Sequence, residues 1–362
     1  MSTTGERGAS GRRPEGLPMA SGRRPEGLPM ASGRRPEGLP MAAVELDLPL
    51  DDHGPRYLES RRTALVGDIA IFGVPFDGTT SFRPGTRFGP DHIRSASIVL
   101  ESYSPDLDLD LLDIGYCDLG NLEVPMGPPG PMVERVHEAV TALLEAGLVP
   151  LMLGGEHSIS TGAVEAVHAR HPDLLLVQLD AHGDLRESYL GQHHNHACTM
   201  RRCLESVGER GLVQIGIRSG TREEFAEMRA ADRLVVPESF ALAGGPRRDG
   251  VTHPMGVTLA RLIADRDGEG GAARPIYLTV DLDVFDPGVL PGTGTPEPGG
   301  IFWPDFRAIL DAIPAGRLVA ADVVELSPGL DPTGGSSVYA AKVVREVALR
   351  LAADAGKRGT SS

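Results

Sequence analysis

Residues 178–184 read QLDAHGD and carry three side chains that can bind metal ions, Asp180, His182 and Asp184, at alternate positions. The run LLLVQL at 174–179 comes directly before them and is typical of a fully buried parallel strand. Open α/β sheets place their functional sites at the carboxyl ends of their strands, so the alternation aims these side chains into one crevice. The alternative is a strand end with polar residues that only cap the backbone.

Two further strand ends carry similar side chains. The strand predicted at 276–281 runs into Asp281 and Asp283, which alternate and therefore share one strand face. Burying two carboxylates together is very unfavourable unless cations neutralise them. Alternatively, one of them caps a helix and the other forms a salt bridge. The strand predicted at 149–153 leads past a glycine pair to His157, which alone would be interpreted as a capping or packed histidine.

Together the three strand ends supply four carboxylates and two imidazoles. This oxygen-rich set with two nitrogens favours a pair of hard to borderline divalent ions such as Mn(II), with carboxylates bridging them. Two ions about 3.5–4 Å apart hold a hydroxide at neutral pH and so provide a nucleophile. The candidate ligands are His157, Asp180, His182, Asp184, Asp281 and Asp283.

The composition narrows the possible partners and compartment. The 362 residues carry a formal net charge of −15, which argues against nucleic acid and anionic membranes, because both require clustered Lys and Arg. No apolar stretch reaches the roughly 18–20 residues that a membrane span needs. The three cysteines, Cys117, Cys198 and Cys203, are sparse and lack metal-type spacing, which indicates a reducing compartment. We expect a soluble cytoplasmic protein.

The chain divides into an extension and one large domain. Residues 1–45 contain the repeat GRRPEGLPMAS, which begins at Gly11, Gly22 and, nearly intact, Gly33. Two prolines per unit forbid a continuous helix, so we predict a disordered extension. Residues 46–355 alternate strand and helix patterns without a linker. This pattern predicts a single three-layer α/β domain around a mainly parallel sheet.

The predicted elements follow from apolar periodicity and turn residues. One helix is predicted to begin near residue 90, and another follows residue 158 and ends near residue 170. The remaining helices are predicted over 131–147, 198–206, 221–231, 257–265, 304–313 and 336–352. Strands are predicted at 68–74, 149–153, 174–180, 212–217, 234–236, 276–281 and 318–324. No G-x-G-x-x-G motif follows the first strand, which argues against a dinucleotide-binding protein.

The motifs resemble the three signatures of the ureohydrolase family of arginases and agmatinases. These are GGEHS at 154–158, DAHGD at 180–184 and DLDVFDP at 281–287. The resemblance continues in GVPFDGTTSFRPGTRFGP at 73–90, GIRS at 216–219, PGTGTPEPGG at 291–300 and DVVELSP at 322–328. It spans roughly 66–350 and implies an arginase-like domain around a parallel sheet of about eight strands, assembled as a homo-trimer or hexamer.

The resemblance also implies residue roles. The six candidate ligands would hold two Mn(II) ions per subunit, with Ni(II) or another divalent ion as an alternative. His196 matches the catalytic histidine that shuttles a proton, and Glu325 matches the glutamate that grips the substrate guanidinium. Asp184 would also orient the hydroxide. The implied reaction is hydrolysis of a guanidino group to urea and an amine, with agmatine giving putrescine and urea.

Two positions depart from the family pattern. Gly183 replaces a Thr that is usual in the second signature, and Arg186 replaces the Asn with which arginases hold the amino-acid end of arginine. The motif contexts are most similar to agmatinases. Arg186 would more naturally meet a carboxylate, as in 4-guanidinobutyrate or 3-guanidinopropionate, unless it pairs with Glu187 or another loop acid. Free guanidine as substrate and a non-catalytic homologue are further alternatives, although such homologues typically lose metal ligands.

Overall fold

The computed structural model describes residues 42–51, 53–58, 60–235, 254–267 and 272–359. The extension predicted to be disordered at 1–45 lies outside the described residues up to Met41. Its last residues include β1 (Ala43–Val44), which pairs antiparallel with a short strand at Ala64–Leu65.

The strands of the described residues follow the apolar runs of the sequence. In chain order they are β1 (Ala43–Val44), β2 (Leu50–Asp51), β3 (Ala64–Leu65), β4 (Ile69–Val74), β5 (Tyr103–Ser104), β6 (Leu109–Asp110), β7 (Tyr116–Leu122), β8 (Val149–Gly154), β9 (Leu175–Leu179), β10 (Leu212–Ile215), β11 (Leu234–Val235), β12 (Ile276–Asp281) and β13 (Leu318–Val324).

Nine of these strands form the central sheet, in the spatial order β11–β10–β9–β12–β13–β8–β4–β7–β2. The eight from β11 to β7 run parallel, and β2 pairs antiparallel with β7 at one edge. The mainly parallel sheet of about eight strands is confirmed. The large loops that follow β8, β9, β12 and β13 start from neighbouring strand ends, which is the geometry that brings their side chains together.

Strand β7 was absent from the predicted set because its sequence, YCDLGNL, interrupts the apolar residues with polar ones. The structure shows why these polar residues are tolerated. Arg94 is fully buried and donates hydrogen bonds from Nε and Nη2 to Asp118, at 2.8 and 2.9 Å, and from Nη1 to Asn121. A buried charge paired in this way satisfies polar groups inside a strand that would otherwise be unfavourable.

Helices cover both faces of the sheet. They are α1 (Gly89–Ser97), α2 (Gly130–Glu145), α3 (Ser160–Arg170), α4 (Thr199–Val207), α5 (Arg222–Ala230), α6 (Pro254–Arg266), α7 (Trp303–Ala312) and α8 (Gly335–Gly359). Consecutive residues of β4 enter opposite cores: Ile71 belongs to the core that includes residues of α1, α6, α7 and α8, whereas Ala70 and Phe72 belong to the core that includes residues of α2 to α5. This confirms the α/β architecture. None of the helices in the described part of the chain is long and apolar enough to cross a bilayer.

Gly162 is expected to reverse the usual effect of a Gly-to-Ala change in a helix. Alanine normally stabilises a helix interior by about 1 kcal/mol relative to glycine. A Cβ at Gly162 of α3, however, would lie 2.1 Å from the backbone oxygen of Val133 in α2. We expect Gly162→Ala to lower the free energy of unfolding by about 1–3 kcal/mol, as overpacking does, measured by urea denaturation. Gly130→Ala is the control, because no atom lies within 4 Å of a Cβ at Gly130; equal stabilities would contradict the prediction.

Candidate metal centre

The structure brings all six predicted ligands together at the carboxyl ends of β8, β9 and β12. Nδ1 of His157 lies 3.1 Å from a carboxylate oxygen of Asp180, 3.1 Å from one of Asp184 and 3.4 Å from one of Asp281. Nearby, Nδ1 of His182 lies 3.0 Å from Asp283 Oδ2 and 3.6 Å from Asp180 Oδ1. These contacts are possible because β12 lies directly beside β9, so the two strands end at the same crevice.

The ligand atoms form two groups that share one carboxylate. The first group is His157, Asp180 and Asp184, and the second is Asp180, His182 and Asp283; within each group the ligand atoms lie within 4.8 Å of one another. Asp281 lies beside the first group through its contact with His157. Asp180 presents its Oδ2 to one imidazole and its Oδ1 to the other. These residues would hold two divalent ions, and Asp180 belongs to both groups.

Hydrogen bonds orient His157 as a metal ligand. Its Nε2 lies 2.9 Å from Thr279 Oγ1, and that hydroxyl donates to Asp322 Oδ1 at 2.6 Å. Because the single hydroxyl proton goes to Asp322, Thr279 accepts a hydrogen bond from Nε2–H of the imidazole. The opposite atom, Nδ1, is buried and makes no hydrogen bond to the described residues. An orphaned ring nitrogen that faces three carboxylates is what a bound cation would satisfy.

The electrostatics of the cluster also favour binding of a cation. Burial, reinforced by the neighbouring Asp180, raises the pKa of Asp184 to about 7. Burial, together with the charge of Asp283, raises the pKa of Asp281 well above its usual range. Burial opposes protonation of His182, yet the two nearby carboxylates raise its pKa to about 12. Without metal, protons therefore balance the carboxylates, and divalent ions would displace them.

Two site residues have strained backbones. Asp184 and Glu325 are non-glycine residues with φ angles of 52° and 68°, in the left-handed region. Such conformations cost of order 1–3 kcal/mol and cluster at functional sites. The half-buried carboxylate of Glu325 lies against the first group: its Oε1 accepts the backbone N–H of His157 at 2.7 Å. Burial and the nearby Glu156 raise the pKa of Glu325 well above its usual range, so a cationic ligand would be favourable there.

A cavity of about 280 Å³ opens above the cluster and is lined by His196, Arg186, Tyr189, Asp184 and Glu325, among others. The predicted proton shuttle therefore lines the same cavity as the candidate ligands. Nε2 of His196 lies 3.1 Å from the hydroxyl of Ser81. Burial, together with the charge of His182, lowers the pKa of His196 to about 4, so the imidazole is neutral near pH 7.

Arg186 lies in the wall of this cavity. Its guanidinium carbon is 4.5 Å from the centroid of the Tyr189 ring, a cation–π distance. The Tyr189 ring in turn meets His196 edge-on, with centroids 6.0 Å apart. Glu187, the predicted alternative partner of Arg186, instead forms an ion pair of 2.9 Å with Arg202.

Several residues of the site were not identified from the sequence. Thr279 has a detectable signal, since it alternates with Asp281 and Asp283 on the face that carries the ligands. Asp322 is aligned with Thr279 across the sheet, a pairing that only the strand order reveals. Ser81 and Tyr189 lie in loops, and their contact with His196 has no local sequence pattern.

The comparison with known proteins agrees with this geometry. A sequence model of the arginase family matches residues 67–349. The chain belongs to the arginase family. One similar protein is the agmatinase of Halalkalibacterium halodurans, 37% identical over 301 residues that cover 82% of this chain and 96% of that one. Another is the proclavaminate amidinohydrolase of Streptomyces clavuligerus, 32% identical over 292 residues that cover 79% and 88%.

The fold is shared with solved structures of this arginase family. The agmatine ureohydrolase of Thermoplasma volcanium is 36% identical, with a TM-score of 0.67 and coverage of 82% of this chain and 92% of that one. The resemblance to ureohydrolases, the arginase-like fold and the class of metal-dependent amidinohydrolase are thereby confirmed.

Metal affinity is expected to rise with pH. Asp184 is protonated below its pKa of about 7 and must lose that proton to bind a divalent ion. The proton displaced from Asp184 alone makes Mn(II) binding about tenfold weaker at pH 6 than at pH 8, and displacing the proton of His182, whose pKa is about 12, makes the dependence on pH steeper still. By linkage, the rise in melting temperature with Mn(II) should be smaller at pH 6. Calorimetric titration and thermal melts of the metal-stripped protein test both; equal affinity at the two pH values would refute the proton competition.

Proposed function

We propose that the protein hydrolyses agmatine to putrescine and urea, using two Mn(II) ions held by the six candidate ligands. The observation that carries this proposal is the pair of ligand groups that share Asp180 beneath a cavity that Glu325 lines. Its similarity to agmatinases supports the substrate. When bound, two divalent ions would activate a water molecule as nucleophile and neutralise the carboxylates.

Glu325 would bind the substrate guanidinium. A guanidinium is planar and presents paired N–H donors that match the two oxygens of a carboxylate. Because partial burial removes water from the Glu325 carboxylate and raises its pKa, it gains more from a cationic ligand than an exposed carboxylate would. The contact of Glu325 with the backbone of His157 keeps this carboxylate next to the ligand groups. The guanidinium carbon would therefore face the activated water, which Asp184 would orient.

His196 would move the proton. Its imidazole is neutral at pH 7 because burial and neighbouring charge lower its pKa to about 4. A neutral imidazole can accept a proton and then donate it to the leaving amine, the task of a general base that becomes a general acid. The hydroxyl of Ser81 at 3.1 Å fixes one ring nitrogen of His196 at the cavity wall.

A guanidino acid is the second candidate substrate, and Arg186 is the observation that favours it. A cation that lines the cavity would pair with the carboxylate of 4-guanidinobutyrate. The buried carboxylate of Glu224 also lines the cavity and suits the terminal amine of agmatine instead. Its oxygens accept the backbone N–H groups of Leu185 and Thr221 and retain acceptor capacity for a ligand.

Assembly and location are also inferred. We propose a homo-trimer or hexamer, in keeping with the family resemblance, and a cytoplasmic location, in keeping with the free cysteines Cys117, Cys198 and Cys203. Light scattering on the purified protein tests the assembly.

Urea release tests the function directly. Metal-stripped protein, reloaded with Mn(II) or Ni(II), is offered agmatine, arginine, 4-guanidinobutyrate, 3-guanidinopropionate and guanidine side by side. We expect urea from agmatine only with metal, because the activated water requires the ions. Turnover of a guanidino acid alone would replace agmatine as the substrate. If none of the compounds yields urea although metal is bound, the proposal is overturned in favour of a non-catalytic homologue.

Arg186→Met tests which tail the cavity selects. Methionine retains an unbranched apolar stem and removes the charge. If agmatine is the substrate, its cationic tail should gain from the loss of a like charge, and kcat/KM should rise by about two- to fivefold. For 4-guanidinobutyrate, kcat/KM should fall at least about tenfold. Arg222→Met, which alters an exposed arginine of α5, serves as the control. If Arg186→Met changes kcat/KM equally for both substrates, Arg186 does not distinguish their tails.

A further inference from the structure

Residues 154–158 and the segment 73–90 form one packed unit. A Cβ at Gly155 would lie 1.9 Å from the backbone oxygen of Phe76, so only glycine allows this approach. The backbones bind each other: Gly155 N–H donates to Val74 O at 2.9 Å, and Glu156 N–H donates to Phe76 O at 2.8 Å. The close approach brings the Glu156 side chain into hydrogen-bond contact with Thr79 of this segment.

Glu156 is a fully buried carboxylate that belongs to neither ligand group. Its Oε2 accepts the backbone N–H of Thr79 at 2.7 Å, and its Oε1 accepts the hydroxyls of Thr79 and Ser158. Two of these three hydrogen bonds hold a single loop residue, Thr79. A buried carboxylate with three donors is a strong anchor, because breaking the contacts would leave a charge without partners.

Thr79, which Glu156 holds, in turn contacts His196, the predicted proton shuttle. Its Oγ1 accepts the backbone N–H of His196 at 3.4 Å, and its carbonyl oxygen accepts Nδ2 of Asn195 at 3.4 Å. Two residues later, the hydroxyl of Ser81 lies 3.1 Å from Nε2 of His196. The loop therefore contacts both the backbone and the ring of His196. The two 3.4 Å contacts are long, so the position of His196 depends on how firmly Thr79 is held.

We propose that Glu156 is a positioning residue for His196, acting through Thr79 and Ser81. The inference rests on the proposed function, in which His196 transfers a proton. Proton transfer requires a donor and acceptor at hydrogen-bond distance, and a misplacement of about 1 Å can cost about a hundredfold in rate. Glu156 would thus affect the turnover number while the metal ligands and Glu325 retain their places.

The test compares variants of Thr79 with a matched neighbour in the full-length, Mn(II)-loaded protein. Thr79→Val removes the hydroxyl and keeps the shape. Thr80→Val is the control, because Thr80 is equally half-buried but, among the described residues, its hydroxyl forms a hydrogen bond only to Asp77 O, at 3.3 Å. We expect Thr79→Val to lower kcat for agmatine at least about tenfold, with KM and metal per subunit unchanged. Thr80→Val should match the parent, and Thr79→Ser should restore most of the rate.

A double-mutant cycle separates positioning from general damage. If Thr79 acts through His196, then Thr79→Val should cause no further loss of kcat in a His196→Ala background. Additive losses, loss of bound metal, or an unchanged kcat in Thr79→Val would each overturn the proposal. Glu156→Leu should behave as Thr79→Val does; if it does not fold, the threonine variants decide alone.

Hydrogen–deuterium exchange distinguishes failure of this inference from failure of the proposed function. The segment His196–Cys198 should exchange faster in Thr79→Val than in Thr80→Val, because the variant removes the acceptor of the His196 amide. This readout requires no turnover. Unchanged exchange would overturn the positioning role even if the parent releases urea. Absence of urea from the parent would refute the proposed function while the exchange result still decides the contact.

Discussion

The buried carboxylates at the carboxyl ends of β9 and β12 are the constraint on which the rest of the structure depends. Asp180, Asp184 and Asp281 lie within 3.4 Å of the imidazole of His157, and Asp283 lies 3.0 Å from that of His182. All four carboxylates are almost inaccessible to solvent. Such a set is strongly unfavourable as free anions and becomes favourable with protons or divalent ions. The raised pKa values show that protons fill this role in the absence of metal. The fold therefore places its four most unfavourable charges, these carboxylates, in one cluster, where a bound cation is stabilised most strongly.

Strand order explains how so many charges converge. Strands β9, β12, β13 and β8 are neighbours, and each enters the apolar cores on both faces before its polar end. The second layer of polar groups is equally ordered: Asp322 on β13 holds Thr279 on β12, and Thr279 holds the imidazole of His157. Because two rigid strands supply this chain of hydrogen bonds, Nδ1 of His157 faces the carboxylates before any ion binds.

The sequence predicts features that are local and misses features that require pairing across the chain. Apolar runs that end in alternating polar residues are sufficient to predict the strands that carry the candidate ligands. The side chains of all six candidate ligands lie together in the structure. Strand β7 was missed because its Asp118 is compensated by Arg94, which is 24 residues away in the chain. Ser81 and His196 are 115 residues apart and meet through loops, so no periodic pattern relates them. The sequence therefore does not predict the residues that hydrogen-bond to the ligands and hold them in place, because those partners are distant in the chain and only the fold brings them together.

The same contrast between strand residues and loop residues separates the groups that would perform the reaction from the groups that would select the substrate. The floor of the cavity consists of strand ends whose positions are set by sheet register, so membership of the arginase family extends to the chemistry performed there. The wall consists of loop and helix residues, among them Arg186 stacked on Tyr189 and, on α5, the buried Glu224. One is a cation and the other an anion, so they favour opposite substrate tails. On the proposed function, the balance between these two charges, rather than the metal ligands, would determine which guanidino compound is selected.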